Sequence, residues 1–263
     1  IGTGQWSVVS GTATITNASS FNTTVTGVPV NTSATLRWTV SNGSCASTTD
    51  DIVLTHDESP TATLVSDDAD NIICTGQTVE FTAAGGTNYE FLVNGSTVQN
   101  GASDIYTTSS LSNNAVVTVR VTNAAGCSTV SSGITMTVNP VPVVNLVSSN
   151  GGATICEDSP VTFTASPSGM ATYDFRVNDV SVQSSASNVY TTSLLSDGDE
   201  VDVIVTTAAN CSATSADIII DVDTKPNVAD AGPVSIIQCD DEIFTMSANA
   251  AVAGTTGTWS VVS

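Results

Sequence analysis

A cysteine-marked pattern returns along this chain about every 84 residues, so the chain must fold as one small module made repeatedly. Cys156 follows Cys74 by 82 residues, Cys211 follows Cys127 by 84, and Cys239 follows Cys156 by 83. The aromatic pair Tyr89-x-Phe91 returns as Tyr173-x-Phe175, and Tyr106-Thr107-Thr108 returns as Tyr190-Thr191-Thr192. A longer period overlies this beat. Thr3-Gly4-Gln5-Trp6-Ser7-Val8-Val9-Ser10 comes back as Thr256-Gly257-Thr258-Trp259-Ser260-Val261-Val262-Ser263, 253 residues later and with one difference. Three short beats fit one long one, which predicts a super-repeat of three modules and places the ends of this stretch inside a module.

Within each module the apolar residues alternate with polar ones. Leu36, Trp38 and Val40 share one face of a strand, and Val117, Val119 and Val121 share another, with Thr118, Arg120 and Thr122 opposite. Asn42-Gly43 and Asn94-Gly95 are hairpin signals. Val and Thr favour strands, the helix-surface residues are scarce, and no stretch sustains a helical period. Seven or so short strands in about 80 residues predict an all-β fold of tandem immunoglobulin-like (PKD-like) β-sandwich domains in an extended rod. The expected division is 1–59, the C-terminal half of such a domain; 60–139, a complete domain; 140–224, its duplicate; and 225–263, the N-terminal half of a domain that continues into the next repeat. Prolines at Pro60, Pro140, Pro142 and Pro226 mark short, stiff linkers.

Four basic residues face 25 acidic ones, for a formal charge of −21. That excludes nucleic acid as a partner, since its affinity comes from Lys and Arg meeting phosphates. No run has the length of a membrane span, so no membrane insertion is expected in this stretch. Six cysteines, one histidine and no CxxC pair point to disulfides and an oxidising compartment.

Two cysteine pairings remain open. Bookkeeping within domains joins Cys74 to Cys127 and Cys156 to Cys211, with Cys239 meeting a further copy of Cys45. Strand geometry objects, because Cys74 and Cys127 fall at opposite poles of a sandwich, roughly 20–26 Å apart, where a disulfide needs Cα atoms within about 7 Å. The alternative joins neighbouring domains through Cys74–Cys211, with Cys45, Cys127, Cys156 and Cys239 reaching outside the stretch.

Catalytic chemistry finds little to work with. His56 lies in the linker His56-Asp57-Glu58-Ser59-Pro60 and reads as a solvated hinge residue; without a second histidine no Ser-His-Asp or Cys-His set exists here. No catalytic or cofactor-binding residue is expected, and no enzyme. Calcium is the one ion left open, at Asp67, Asp68 and Asp70 and at Asp197 and Asp199, although neither cluster has the glycine-pivoted calcium loop. Asp240, Asp241 and Glu242 form a further acidic group. In Asp197-Gly198-Asp199 the simpler reading is a hairpin turn, with Glu200 and Asp202 on the solvent face of the following strand.

The run Ile73-Cys74-Thr75-Gly76-Gln77-Thr78-Val79-Glu80-Phe81-Thr82-Ala83, with Asn123-Ala124-Ala125-Gly126-Cys127, resembles the tandem Ig-like and PKD-like modules of giant Bacteroidota cell-surface adhesins of the gliding-motility type. So does Ala229-Asp230-Ala231-Gly232-Pro233 followed by Cys239. The resemblance implies export by a type IX secretion system, an extracellular, cell-surface location, and an unknown surface or glycan ligand. The expected function is a structural stalk segment of a long repetitive extracellular adhesin or surface filament, whose partners are further copies of the repeat in the same or neighbouring chains. Two other readings stand beside it: a self-assembling filament subunit completed by half-domain exchange between chains, and a spacer or carbohydrate-binding module of a large secreted enzyme.

Overall fold

Alternating Val, Thr and aromatic residues make strands, and strands are the only helical or sheet elements among the residues that the computed structural model describes, 2–151, 154–237 and 243–262. The chain divides into two units, Ile1–Asn139 and Pro140–Ser263.

The first unit begins with β1 (Thr3–Ser10), the short hairpin β2 (Thr14–Ile15) and β3 (Val25–Thr26), then β4 (Thr32–Ser41) and β5 (Thr48–His56). β4 lies between β1 and β5, antiparallel to both. Trp6 sits opposite Trp38 with ring centroids 5.1 Å apart. Gly4 makes room for this pair: a Cβ there would lie 2.1 Å from the Trp38 ring. Ala34 and Leu36 are buried, whereas Val8, Val40 and Ile52 on the same face are 39%, 43% and 48% exposed. The indole Nε1 of Trp6 is buried without an acceptor.

A complete sandwich follows. Its strands are β6 (Thr63–Ser66), β7 (Ile72–Cys74), β8 (Val79–Ala84), β9 (Asn88–Val93), β10 (Ser96–Gly101), β11 (Ile105–Thr108), β12 (Ala115–Thr122), β13 (Ser128–Val130) and β14 (Ile134–Asn139). One layer runs β10-β9-β12-β14-β7 with β13 beside β12, and the other runs β11-β8-β6. The first strand of the module changes layer at Asp67–Asp70: β6 pairs antiparallel with β8, and β7 pairs parallel with β14. Val79, Phe81 and Ala83 of one layer and Tyr89, Phe91, Val117, Val119 and Val121 of the other close a single core. Tyr106 packs against both Phe81 and Phe91. Asn94 and Gly95 both take positive φ, which gives the tight β9–β10 hairpin the twist of its strands.

The second unit repeats this module with β15 (Asn145–Ser148), β16 (Thr154–Cys156), β17 (Val161–Ser166), β18 (Thr172–Val177), β19 (Val180–Ser185), β20 (Val189–Thr192), β21 (Glu200–Thr206), β22 (Ser212–Thr214), β23 (Ile218–Ile219) and β24 (Asp221–Asp223). β15-β17-β20 form one layer; β19-β18-β21-β22, with β23 beside β21, lie in the other, and β16 pairs parallel with β24. Phe163, Phe175 and Tyr190 repeat the aromatic cluster of the preceding domain.

The expected half-domain at 225–263 takes a different form: no described residue after Asp223 lies in a strand. Traces of strand pairing persist, since Asn249 N donates to Asp230 O (2.9 Å) and its side chain donates to Val228 O (2.8 Å). Phe244 and Met246 are 57% and 56% exposed, with no opposing layer among the described residues to bury them. A pair of strands without a second layer lacks the apolar burial that would offset the ordering of its backbone.

Candidate functional site

The joint at residues 56–60 is the best-defined candidate, because side chains from both flanking domains hold it. Gly27 and Pro29 turn the chain so that Val28 O and the side chain of Asn31, itself at φ 58, face the end of β5. His56 Nδ1 donates to Val28 O at 2.8 Å, and Asn31 N donates to His56 O at 2.6 Å. Asn31 also brackets Glu58, accepting from its amide at 3.2 Å and donating to its carboxylate at 3.3 Å. From the other side Asn123 Nδ2 donates to Glu58 O at 2.8 Å, and the Cys127 thiol lies 3.8 Å from Asp57 O. His56 is exposed, as expected, but it is the last residue of a strand and engaged with backbone, which corrects its reading as a hinge. Sequence reasoning missed Asn31 and Asn123; their one signal was Asn beside turn glycines, and that signal is common to any loop.

The cysteines divide sharply. Cys74 and Cys211 are each disulfide-bonded. Cys45, Cys127 and Cys156 carry thiols, and Cys239 lies outside the described residues. The within-domain pairs Cys74–Cys127 and Cys156–Cys211 do not form. Cys74 ends β7 beside Asn139, whereas Cys127 follows the far end of β12, so the two lie a strand length apart, roughly 20 Å or more. Cys127 and Cys211 sit in matching turns: each amide donates to the side chain four residues earlier, Asn123 Oδ1 at 2.9 Å and Thr207 Oγ1 at 3.1 Å.

The acidic candidates accept hydrogen bonds from their own loops and from neighbouring strands. Asp67 Oδ1 accepts from Glu80 N at 2.9 Å, while Asp68 and Asp70 both accept from Ile72 N at 3.1 Å. Asp197 accepts from Val222 N, and Asp199 from Ser196 N and the Asn178 side chain. Among the described residues no three His, Cys, Asp or Glu side chains converge on a point that could hold a metal. Asp240, Asp241 and Glu242 lie outside the described residues.

All four cations have acidic partners. Arg37 meets Asp51 at 2.7 Å, Arg120 meets Glu90 at 2.7 Å, and Lys225 meets Asp158 at 2.8 Å. Arg176 grips Asp202 through Nε and Nη2 and also reaches Asp179 at 3.5 Å. Asp202 is 5% exposed, which overturns its expected place on a solvent face. Arg176, opposite it on β18, is what lets a carboxylate sit there. The hydrogen bond from Arg37 holds the Asp51 carboxyl below its ordinary range, and Asp202 and Asp158 raise the already high pKa values of Arg176 and Lys225.

No family model matches the chain, and no curated protein matches it. Among solved structures it is similar to the fibronectin(III)-like modules of Clostridium thermocellum CbhA, at 12% identity, covering 62% of this chain and 95% of that one, with a TM-score of 0.36. It is similar to a Ca2+-stabilized adhesin with which an Antarctic bacterium binds ice, at 16% identity over 88% of this chain and 67% of that one, TM-score 0.33. Murine CEACAM1b is similar over 62% of this chain and 100% of its own, at 12% identity and a TM-score of 0.32. Likenesses this distant carry no functional inference, and the chain's own strand order gives its class as an all-β array of immunoglobulin-like sandwiches.

Proposed function

We propose that this chain is a non-enzymatic stalk segment of a long repetitive extracellular adhesin or surface filament, of the gliding-adhesin kind that its motifs resemble. The observation that carries the reading is the joint at 56–60, where a five-residue connection is hydrogen-bonded to the domains on both sides. Such a joint transmits force and resists bending, which suits a rod and serves no purpose in a flexible tether. Disulfide bonding at Cys74 and Cys211 supports an oxidising, extracellular location. With Cys127 and Cys156 carrying thiols, the reading includes a Cys74–Cys211 bond between successive domains that locks their joint.

Electron microscopy of the native assembly tests the stalk: long threads with a regular domain beat are expected, and compact particles would sink it. Non-reducing peptide mapping tests the lock. A Cys74–Cys211 peptide is expected, and either cysteine recovered with another partner removes it.

A further inference from the structure

We propose that the half-covered face of the β1-β4-β5 sheet receives the segments Asn227–Ile237 and Ile243–Ala250 of a second copy of this repeat, which supply the missing layer of a sandwich. The proposal rests on the repetitive reading given above and adds the partner and the residues that meet.

The two complete domains supply the template. In each, a central pair of strands meets in one register: Phe91 opposite Val119 on β9 and β12, and Phe175 opposite Val203 on β18 and β21. Trp6 opposite Trp38 on β1 and β4 is the third instance, so the β1-β4-β5 sheet is one layer of the same sandwich. In the complete domains the other layer covers that ladder with Val79, Phe81 and Ala83, or with Val161, Phe163 and Ala165, all 2% exposed or less. Among the described residues no comparable layer covers the first sheet, where Ala34 and Leu36 are buried but Val8, Val40 and Ile52 remain open.

The missing layer is written at 225–250. Val79 lies five residues after Cys74 and Val161 five after Cys156; five after Cys239 stands Phe244, followed at alternate positions by Met246 and Ala248. The contact between the outer two strands is also kept in part. Thr63 faces Ala84 and Asn145 faces Ser166; of the corresponding residues, Asn249 donates its side-chain amide to Val228 O at 2.8 Å, and its backbone N donates to Asp230 O at 2.9 Å, two residues along, which keeps the same faces together. The described parts of the segment thus lie side by side as the outer strands of a layer do, while its inner-face residues Phe244 and Met246 stay exposed. Apolar faces of matching origin, one on each half, are complementary by construction, and burying them is the driving force. Residues 256–262 of the incoming copy are surplus, because β1 already fills their place.

The contact joins two different patches, so it is heterologous and runs head to tail. Sedimentation of the 263-residue chain carrying Trp259→Phe, which leaves Trp6 and Trp38 as the tryptophans, reads it directly. The expected result is a mass that rises with concentration above 26.6 kDa, with tryptophan emission moving to the blue in step. Met246→Asp and Val40→Asp should each weaken association at least about 100-fold by placing an unpaired charge in the contact. Val65→Asp, on the exposed side of β6, should leave it unchanged, and a preserved main melting transition shows that each variant folds. Association that survives Met246→Asp but not Val40→Asp would mean that the sheet packs on itself, and would overturn the proposal. A double-length chain in which Thr255 runs on into Thr3 supplies the second copy covalently. Blue-shifted junction tryptophans at every concentration are expected there, and they remain the supporting result if the single-copy chain stays monomeric. Exposed tryptophans in both chains overturn the proposal, and leave the stalk to stand or fall on microscopy.

Discussion

The sheet at residues 3–56 and the sandwich at residues 63–139 share one strand register and differ in what covers it. Val121 of the sandwich is wholly buried, whereas Val40, its counterpart two residues beyond the central pair, is 43% exposed. The cause is the β11-β8-β6 layer, which has no equivalent over the first sheet among the described residues. Packing is also redistributed within the ladder. The complete domain places Tyr89 opposite Val121 and Phe91 opposite Val119; the first sheet places Gly4 opposite Val40 and Trp6 opposite Trp38. A large ring on β4 leans over a glycine on β1, so volume is conserved across the pair although only the Val40/Val121 position keeps its residue. Strand pairing tolerates such exchange. Burial requires a second layer.

Deleting equivalent rings should expose the contrast most strongly. Phe91→Ala empties a closed core and is expected to cost about 3–5 kcal/mol in denaturant unfolding, while Trp6→Ala, on the half-covered sheet, should cost less than half as much. Equal losses would mean that the first sheet is already completed. The ion pairs give the next largest difference. Arg176→Ala leaves Asp202 buried without its cation and should cost about 3 kcal/mol; Arg37→Ala, at a solvent-exposed pair, should barely move the unfolding midpoint.

Gly4→Ala sharpens the packing argument. Its methyl would fall 2.1 Å from the Trp38 ring, so the ring must move, at an expected cost of about 1–3 kcal/mol with a change in tryptophan emission. Gly95→Ala, in a turn whose Cβ direction is open, should cost only the strain of positive φ, about 1 kcal/mol. The smallest effect is in pH. Arg37 lowers the folded-state pKa of Asp51, so the pair's contribution is present above the ordinary carboxylate value of 3.8 and fades as pH falls through the lowered one. Any stability difference between the wild type and Arg37→Ala should therefore vanish in acid and not in base; a difference that grows on acidification contradicts the assignment.

Much of the fold is legible in the residues. Alternation at Val117, Val119 and Val121 sets an inward face, and Asn94-Gly95 sets a hairpin, because both signals are local to a few residues. The opposite poles of Cys74 and Cys127 also follow from strand length alone. The candidate site was less legible. Asp202 reads as a surface carboxylate until Arg176 is found across the sheet, and His56 reads as a linker residue until Val28 O is found 28 positions earlier. Each depends on one partner from a distant strand, and no local pattern announces it.

By itself the sequence determined the module: its length, its strand periodicity, its turns, the beat of its cysteines and the recurrence that makes 225–250 the counterpart of β6 to β8. Only the tertiary structure decided which acid is buried, how the joint at 56–60 is held, which cysteines keep their thiols, and that Phe244 and Met246 lie open. The division has a physical reason. Strand propensity and turn geometry act over neighbouring residues, whereas burial, ion pairing and disulfide formation need two parts of the chain that meet only after the layers close.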